Sequence, residues 1–199
     1  DRGFSGNPYD AGMDRTFSMD TLPQEYPCYG NGDYRSAAFV MKDENGVYGA
    51  DLRYVSHRFI QGKYAIPHLP AVYDDACKEP AGAADCDANS KGADEKAAAN
   101  IDDIDITKPY TAEITLRDEL SGVEVCLKYG VMPQQDVITR SAVITNKGEK
   151  EVTVTKAYSA VLDFVTGDYD LLHFHGRHAM ERIAERVPVT HSNLNFGSK

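Results

Sequence analysis

The chain has 199 residues, 31 acidic against 21 basic side chains, and a formal net charge of −10 at pH 7. A chain of this length folds as one domain of moderate size, since it can bury roughly 70% of its extended surface. The acidic balance argues against nucleic acid and anionic membranes as partners. No apolar run reaches the roughly 18 residues of a transmembrane helix, so we expect no membrane span.

The first 36 residues are predicted to form a long ordered loop. An Asp-Arg-x-Phe-Ser pattern begins at Asp1 and again at Asp14. Neither copy alternates apolar and polar residues, and neither carries a helical stripe. Glycine, proline and asparagine mixed with charged and aromatic residues are typical of a loop that makes specific contacts. We therefore expect residues 1–36 to be a functional loop segment.

The remainder, residues 37–199, shows the pattern of a β-sandwich domain. Apolar residues alternate in runs at hairpin spacing, and turn residues such as Asn45-Gly46 and Ser121-Gly122 separate them. The predicted strands are 37–42, 47–60, 112–117, 123–128, 137–145, 152–164, 171–175 and 179–186. Because no long helical pattern occurs, an all-β antiparallel sandwich follows.

The same alternation predicts which strands are buried. Most strands carry one polar face, as expected of outer sheets with one solvated side. The segment Ala157–Phe164 is apolar on both faces. We therefore expect it to belong to a central strand.

A low-complexity acidic insertion is predicted at about residues 76–108. Between Asp74 and Ile106 there are ten acidic residues and three lysines, a local charge of −7, whereas the rest of the chain carries −3. Alanine, aspartate, glycine and lysine dominate this stretch. Such a composition buries too little apolar surface to fold, so we expect the insertion to be disordered and solvated.

The cysteines indicate the redox environment. Cys28, Cys77, Cys86 and Cys126 show no spacing typical of a metal site. We expect reduced thiols in a reducing compartment, which favours a cytoplasmic location.

Two clusters have some of the residue types of a metal site. His173 and His175 would share one face of a strand, with His178 close by in sequence, as in a metal-dependent β-sandwich enzyme. No carboxylate follows at a matching spacing. Asp102, Asp103 and Asp105 lack the glycine and closing glutamate of a calcium loop. We therefore expect neither a metal ion nor another cofactor.

The charged and aromatic residues of the first loop leave two interpretations open. Carboxylate and guanidinium groups bond the vicinal hydroxyls of a sugar, and aromatic rings cover its apolar faces. Alternatively, Asp1–Arg2, Asp14–Arg15 and Asp33–Arg35 are structural ion pairs and turn caps. The residue chemistry alone does not exclude either interpretation.

The sequence resembles the N-terminal region of bacterial glycoside hydrolase family 36 α-galactosidases. The resemblance extends over nearly all of the chain except about residues 76–108. Several long motifs carry it in the same order along the chain: Asp1–Pro8, Asp14–Pro27, Gly30–Ser36, Asp51–Arg58, Asp136–Ser141, Thr145–Asn146 and Tyr169–Leu172.

The resemblance implies an enzyme with an N-terminal β-supersandwich, a catalytic (β/α)8 barrel and a C-terminal sheet domain. The reaction would be retaining hydrolysis of terminal α-1,6-galactosides such as melibiose and raffinose, with two barrel aspartates as nucleophile and acid/base. Neither aspartate lies in these 199 residues, so we expect the chain to be inactive alone. The N-terminal domain would also help to assemble a tetramer.

The resemblance also implies which residues reach the galactose pocket. Asp1 and Arg15 match the family's Asp and Arg that contact the sugar. His178 falls where many members place a tryptophan, so ring stacking there is replaced by a possible hydrogen bond from the imidazole. Gly30–Arg35 is assigned only a role in loop architecture.

The chain departs from the family pattern at its ends. We expect the sandwich to be incomplete at both ends, with exposed sheet edges as a result. A free-standing carbohydrate-binding sandwich without catalysis is the main alternative function. The complete reading frame would separate the two.

Overall fold

The structure is a computed structural model that describes residues 24–30, 35–66, 98, 100–162 and 168–189. It divides into two compact units, Asp1–Leu162 and Asp163–Lys199, which are taken separately below. The predicted loop residues before Gln24 and most of the predicted insertion lie outside the described residues. No helix within the described ranges is long and apolar enough to cross a membrane.

The first unit contains six strands, and the second unit contains two, among the residues described. All pairings between these strands are antiparallel, and two single 3-10 turns are the only helical elements in the described ranges, so the predicted all-β class is confirmed. The strands of the first unit are β1 Phe39–Lys42, β2 Leu52–Gln61, β3 Tyr110–Asp118, β4 Val123–Met132, β5 Val137–Asn146 and β6 Thr153–Ala157. Those of the second unit are β7 Asp170–Phe174 and β8 Ala184–Pro188.

The first unit is a sandwich of two sheets. One sheet has the order β2-β3-β4-β5, and the other pairs β1 with β6. Phe39 and Met41 of β1 share one hydrophobic core with Val123, Val125 and Leu127 of β4. The alternation of valine and leucine along β4 predicted these inward positions, because alternate residues of a strand face the same side.

Local side-chain chemistry fixes the turns. The Asp43 carboxylate accepts hydrogen bonds from the backbone N–H groups of Asn45 and Val47, and Gly46 adopts a φ of 81°. The carboxylate of Asp118 similarly accepts from the Ser121 backbone and hydroxyl. Both turns agree with the sequence prediction, since aspartate and glycine favour these backbone conformations.

A β-bulge at Val55 changes which residues of β2 face each side of the sheet. Tyr54 and Phe59 are an odd number of residues apart and would face opposite sides of a regular strand. The bulge lets Tyr54 pair with Leu116 and Phe59 pair with Ala112 on the neighbouring strand. The two aromatic residues consequently lie on the same side of the sheet.

Strand β4 is buried on both sides, contrary to the predicted polar, solvated face. Cys126 is 2% exposed and Lys128 is 4% exposed, although both alternate with the core residues. The segment that follows β2 lies over this second face, and a Cβ on Gly130 would meet the side chains of Lys63 and Tyr64 at 2.9 and 3.2 Å. The Tyr64 hydroxyl is 2.8 Å from the Ser141 hydroxyl of β5. The second face is therefore a polar interior.

A row of charges crosses this second face. Arg58, Glu113 and Lys128 occupy directly paired positions on β2, β3 and β4. The Glu113 carboxylate lies 2.6 Å from Arg58 Nε and 2.9 Å from Lys128 Nζ, and both Glu113 and Lys128 are about 4% exposed. A carboxylate held between two cations compensates charges that would otherwise be costly to bury.

The predicted central strand at Ala157–Phe164 is wrong in the residues that are described. Strand β6 ends at Ala157 and pairs only with β1 within the described part of the chain. Tyr158 and Leu162 beyond it are exposed. Side chains from distant parts of the sequence donate hydrogen bonds to the backbone of this segment. The Tyr26 hydroxyl donates to the Tyr158 carbonyl, and Arg140 donates to the Val161 carbonyl.

The last part of the predicted disordered insertion is ordered. Ala98 forms a β-bridge with Phe59, and Ile101–Asp103 forms a 3-10 turn. Gln61 bonds both the N–H and the C=O of Asp105 through its side-chain amide. The Asp105 carboxylate accepts from the backbone and hydroxyl of Thr107. Asp105 therefore acts as a turn cap, a role that composition alone does not reveal.

We expect Glu113→Ala to lower the free energy of unfolding by roughly 3–5 kcal/mol, because it leaves the buried Lys128 without a counter-charge. The matched control is Arg53→Ala, which removes an exposed pair with Asp51 on β2 and should cost less than about 1 kcal/mol. Urea unfolding of the purified variants measures both. Equal losses in the two variants would show that the buried row does not contribute as described. Glu113→Met combined with Lys128→Met should recover part of the loss.

Hydrogen bonds from the Thr107 hydroxyl, from Lys108 and from the Thr107 backbone lower the pKa of Asp105 from its ordinary 3.8 to about 2. Its contribution to stability is therefore present above pH 3.8 and is lost as the pH falls through about 2. We expect Thr107→Val to raise this pKa toward the ordinary value, measured from the carboxyl carbon shift by NMR. Thr115→Val in β3 should leave it unchanged. An unaltered midpoint in Thr107→Val contradicts the capping role.

Candidate functional site

The three site residues predicted from the sequence differ in what the structure describes. Asp1 and Arg15 lie outside the described residues. His178 lies in the second unit, within the turn between β7 and β8. The described chain begins at Gln24, so residues 24–30 are the first described part of the predicted loop segment 1–36, which also contains Asp1 and Arg15.

Backbone hydrogen bonds fasten residues 26–30 to β1. The Pro27 carbonyl accepts from the N–H of Ala38 at 2.8 Å, and Tyr29 N–H donates to the Phe39 carbonyl at 3.1 Å. Cys28 forms a parallel bridge with Phe39. Tyr26 and Cys28 are buried in the same core as β1. This segment is therefore an integral part of the sandwich.

Arg140 of β5 fastens the residue just before this segment. Its Nη2 donates to the backbone carbonyl of Glu25 at 2.6 Å and lies 2.9 Å from the Glu25 carboxylate. Its Nη1 donates to the Val161 carbonyl at 2.8 Å. Tyr129, opposite Arg140 on β4, donates its hydroxyl hydrogen to the same Glu25 carboxylate. We call Arg140, Glu25 and Tyr129 the Arg140 cluster.

Burial determines the electrostatics of this cluster. The Arg140 side chain is only 10% exposed, and its guanidinium lies over the Tyr129 ring, 5.3 Å from the ring centroid. Burial and the hydrogen bond to Glu25 raise the pKa of Tyr129 far above its ordinary value. Burial also raises the pKa of Tyr26. Both phenols keep their protons at neutral pH and remain hydrogen-bond donors.

Arg140 is not among the residues predicted from the sequence, although one feature of the sequence indicates it. Arg140 occupies the same face of β5 as Ala142 and Ile144, both of which pack against the hydrophobic core. A charged residue at an apolar position of an alternating strand needs hydrogen-bonding partners. One such partner, Glu25, is 115 residues away in the sequence, so the pattern could not identify it.

His178 is fully exposed in the turn that joins β7 to β8. Its Nδ1 lies 3.9 Å from the Glu181 carboxylate. The turn contains two residues with positive φ, Ala179 at 62° and Arg182 at 72°. Because of this irregular backbone, β8 begins at residue 184, five residues later than the predicted start at 179. The imidazole of His178 is exposed to solvent.

The histidines do not form the metal site considered above. His173 and His175 share one face, as predicted, and their Nε2 atoms lie 3.2 and 3.3 Å from the same oxygen of Glu185. His178 pairs instead with Glu181. No group of three histidine, cysteine, aspartate or glutamate side chains in the described ranges is arranged to hold a metal ion. The histidine pair and Glu185 instead cross-link the two strands of the hairpin.

The described cysteines agree with the predicted reduced thiols. Cys28 and Cys126 are both buried, and neither forms a disulfide. Cys77 and Cys86 lie outside the described residues.

Comparison with known families gives a direct match. The model of the glycosyl hydrolase family 36 N-terminal domain matches residues 2–100 and 99–199. The chain is 48% identical over 199 residues to the bifunctional α-galactosidase/sucrose kinase AgaSK of Mediterraneibacter gnavus, and it covers 18% of that protein. It is 40% identical over 189 residues to the α-galactosidase AgaA of Geobacillus stearothermophilus, covering 95% of this chain and 22% of AgaA. The chain thus spans about a fifth of the length of these relatives.

Solved structures agree with the sequence comparison. The galactosidase domain of AgaSK matches with a TM-score of 0.69 at 48% identity, covering 96% of this chain and 22% of that domain. A variant of AgaA in complex with raffinose matches with the same TM-score at 39% identity and the same coverage. The fold, the sequence identity over the whole of this chain and the family model agree with one another. The chain therefore belongs to glycosyl hydrolase family 36 and corresponds to its N-terminal domain.

Proposed function

We propose that the chain is the N-terminal domain of an α-galactosidase that removes terminal α-1,6-linked galactose from melibiose- and raffinose-type oligosaccharides. The observation that carries the proposal is 48% identity to AgaSK over all 199 residues. Structures of AgaA variants with raffinose and with stachyose support substrates of this class.

The proposed reaction retains the anomeric configuration. One carboxylate attacks the anomeric carbon while the other protonates the leaving oxygen, and a separation of about 5–5.5 Å suits this double displacement. The resemblance assigns both carboxylates to a (β/α)8 barrel beyond these 199 residues. The present domain supplies structure, contacts for a tetramer and part of the galactose pocket.

Asp1, Arg15 and His178 are the proposed pocket contacts of this domain. A carboxylate accepts from two sugar hydroxyls, a guanidinium donates to two acceptors in a fixed plane, and an imidazole can do either. The full exposure of His178 supports its role, because its ring is accessible to another molecule. Asp1 and Arg15 are proposed on the motif alone.

The complete protein should hydrolyse melibiose and release α-galactose as the first product, which proton NMR of the anomeric signal detects. The 199-residue chain alone should show no hydrolysis. A complete reading frame without a barrel, together with raffinose binding by calorimetry, would instead establish a free-standing carbohydrate-binding sandwich. Release of β-galactose first would refute the retaining mechanism.

We expect Arg15→Ala in the complete protein to lower kcat/KM for melibiose. The loss should correspond to about 1–3 kcal/mol of transition-state stabilisation, as for the loss of a charged hydrogen bond. Arg53→Ala, which removes an exposed arginine of β2, is the matched control and should leave kcat/KM unchanged. Normal kinetics of Arg15→Ala with intact assembly would argue against a pocket role.

We expect His178→Ala to lower kcat/KM less than Arg15→Ala does. The loss should correspond to about 0.5–1.5 kcal/mol of transition-state stabilisation, because the imidazole contributes a neutral hydrogen bond. The melting temperature should not change, since the side chain is fully exposed. His178→Trp tests whether stacking, implied for many family members, substitutes for that bond. If neither variant alters kcat/KM, His178 does not line the pocket.

A further inference from the structure

We propose that Glu181 is a second sugar-binding residue of the β7–β8 turn: beside His178, it bonds one of two neighbouring hydroxyls of the galactose unit. The inference rests on the proposed function, because it needs this turn to reach the galactose pocket. Glu181 adds a carboxylate to a pocket whose contacts were assigned only to Asp1, Arg15 and His178.

The turn between β7 and β8 has a repeated backbone pattern. Met180 N–H donates to the Arg177 carbonyl at 2.9 Å, and Ile183 N–H donates to the Met180 carbonyl at 3.1 Å. Two four-residue turns that share Met180 therefore follow each other directly. The His175 N–H donates to the Ile183 carbonyl at 3.2 Å. Hydrogen bonds thus fix the backbone of the turn both within it and where it joins the hairpin.

The third position of each of these turns is strained. Ala179 has a φ of 62° and Arg182 has a φ of 72°, in the left-handed region that glycine and asparagine favour. Holding a residue with a side chain in this region costs free energy, and such residues cluster at ligand-binding sites. The side chains that these two turns present are therefore candidates for binding a ligand.

His178 and Glu181 occupy equivalent places, the second position of the first turn and of the second turn. Their side chains are 101% and 58% exposed, and His178 Nδ1 lies 3.9 Å from Glu181 Oε1. This distance is longer than a hydrogen bond, so each group keeps the capacity to bond a third partner. The repeated turn therefore places an imidazole and a carboxylate side by side on an exposed surface.

The chemistry of this pair suits neighbouring hydroxyls of a sugar ring. A carboxylate accepts hydrogen bonds through two oxygens, and an imidazole has two ring nitrogens that can donate or accept. Because the two groups lie 3.9 Å apart, each can bond a different hydroxyl of the same ring. Galactose carries hydroxyls on neighbouring carbons, and it is the sugar that the proposed pocket receives.

The hairpin that carries the turn is cross-linked on both faces. On one face, the Glu185 carboxylate lies 3.2 Å from His173 Nε2 and 3.3 Å from His175 Nε2. On the other face, Arg186 Nε donates to the Asp170 carboxylate at 2.7 Å. These contacts join β7 to β8, so the two ends of the turn are held at a fixed separation.

The test uses the complete protein and two variants of Glu181. Glu181→Ala removes the carboxylate, whereas Glu181→Gln keeps its shape and replaces the charged acceptor with an amide. Glu44→Gln is the matched control, because Glu44 is an exposed glutamate in a different turn, where it pairs with Lys150 at 2.7 Å. The melting temperature should not change in the Glu181 variants, since this side chain is 58% exposed.

We expect Glu181→Ala to lower kcat/KM for melibiose by about tenfold and Glu181→Gln to lower it by about threefold, as for the loss of a hydrogen bond to a charged group. Glu44→Gln should leave kcat/KM unchanged. Normal kinetics in both Glu181 variants would overturn the proposal.

The decisive readout combines these variants with nitrophenyl α-galactosides that each lack one hydroxyl of the galactose. If Glu181 bonds a given hydroxyl, removing that hydroxyl should lower kcat/KM in the unaltered protein but change it by less than about twofold in Glu181→Ala. His178→Ala should abolish the effect of removing the neighbouring hydroxyl. A merely structural role for Glu181 would leave the effect of every hydroxyl removal unaltered, and this result also overturns the proposal.

Failure of this proposal can be told apart from failure of the proposed function. If His178→Ala lowers kcat/KM but neither Glu181 variant does, Glu181 alone is excluded from the pocket. If both His178→Ala and Glu181→Ala abolish the effect of the same hydroxyl, Glu181 acts through His178 and does not bind the sugar itself. If the complete protein has no galactosidase activity, the proposed function fails first.

Discussion

The burial of β4 on both faces is the constraint on which the rest of the sandwich depends. One face packs valines and leucine against β1, and this hydrophobic core fixes the second sheet. The other face must bury Lys128, and the Glu113 carboxylate between Lys128 and Arg58 makes that possible. The charged row also selects the register, since a shift of one residue would turn Glu113 away from its partners.

The two faces have different roles in the molecule. The hydrophobic face continues into the Arg140 cluster, where the chain leading out of the N-terminal loop is attached. The polar face supports the segment after β2, through Tyr64 and Ser141. Glu25 is thus attached on the core side of the main sheet, whereas the segment after β2 is attached on its polar side.

The elements that the sequence predicted well are those that depend on neighbouring residues. The turns at Asp43–Gly46 and Asp118–Gly122 follow from aspartate capping and from glycine at positive φ, which are local effects. The core positions of β4 follow from strict alternation. The sugar contacts Asp1 and Arg15 remain predictions from the family motifs, because both lie outside the described residues.

The elements that it missed depend on contacts between distant residues. Beyond the end of β6 at Ala157, the carbonyls of Tyr158 and Val161 accept from Tyr26 and Arg140, contacts that an apolar run cannot indicate. The alternation along β4 predicts that Lys128 faces solvent, and only its pairing with Glu113 on β3 explains why it is buried. The polar composition of the acidic insertion predicts disorder throughout, yet at its end the backbone of Asp105 is bonded by Gln61, 44 residues away, and the Asp105 carboxylate accepts from Thr107.

The thiol of Cys28 gives this architecture a built-in reporter. It lies on the segment fastened to β1, three residues after Glu25, and it is buried and carries no disulfide. Alkylating reagents can reach it only when that segment detaches from the sandwich. The rate of alkylation at Cys28 therefore reports local detachment of residues 26–30. Comparison with the rate at Cys126, inside the main sheet, separates this local opening from global unfolding.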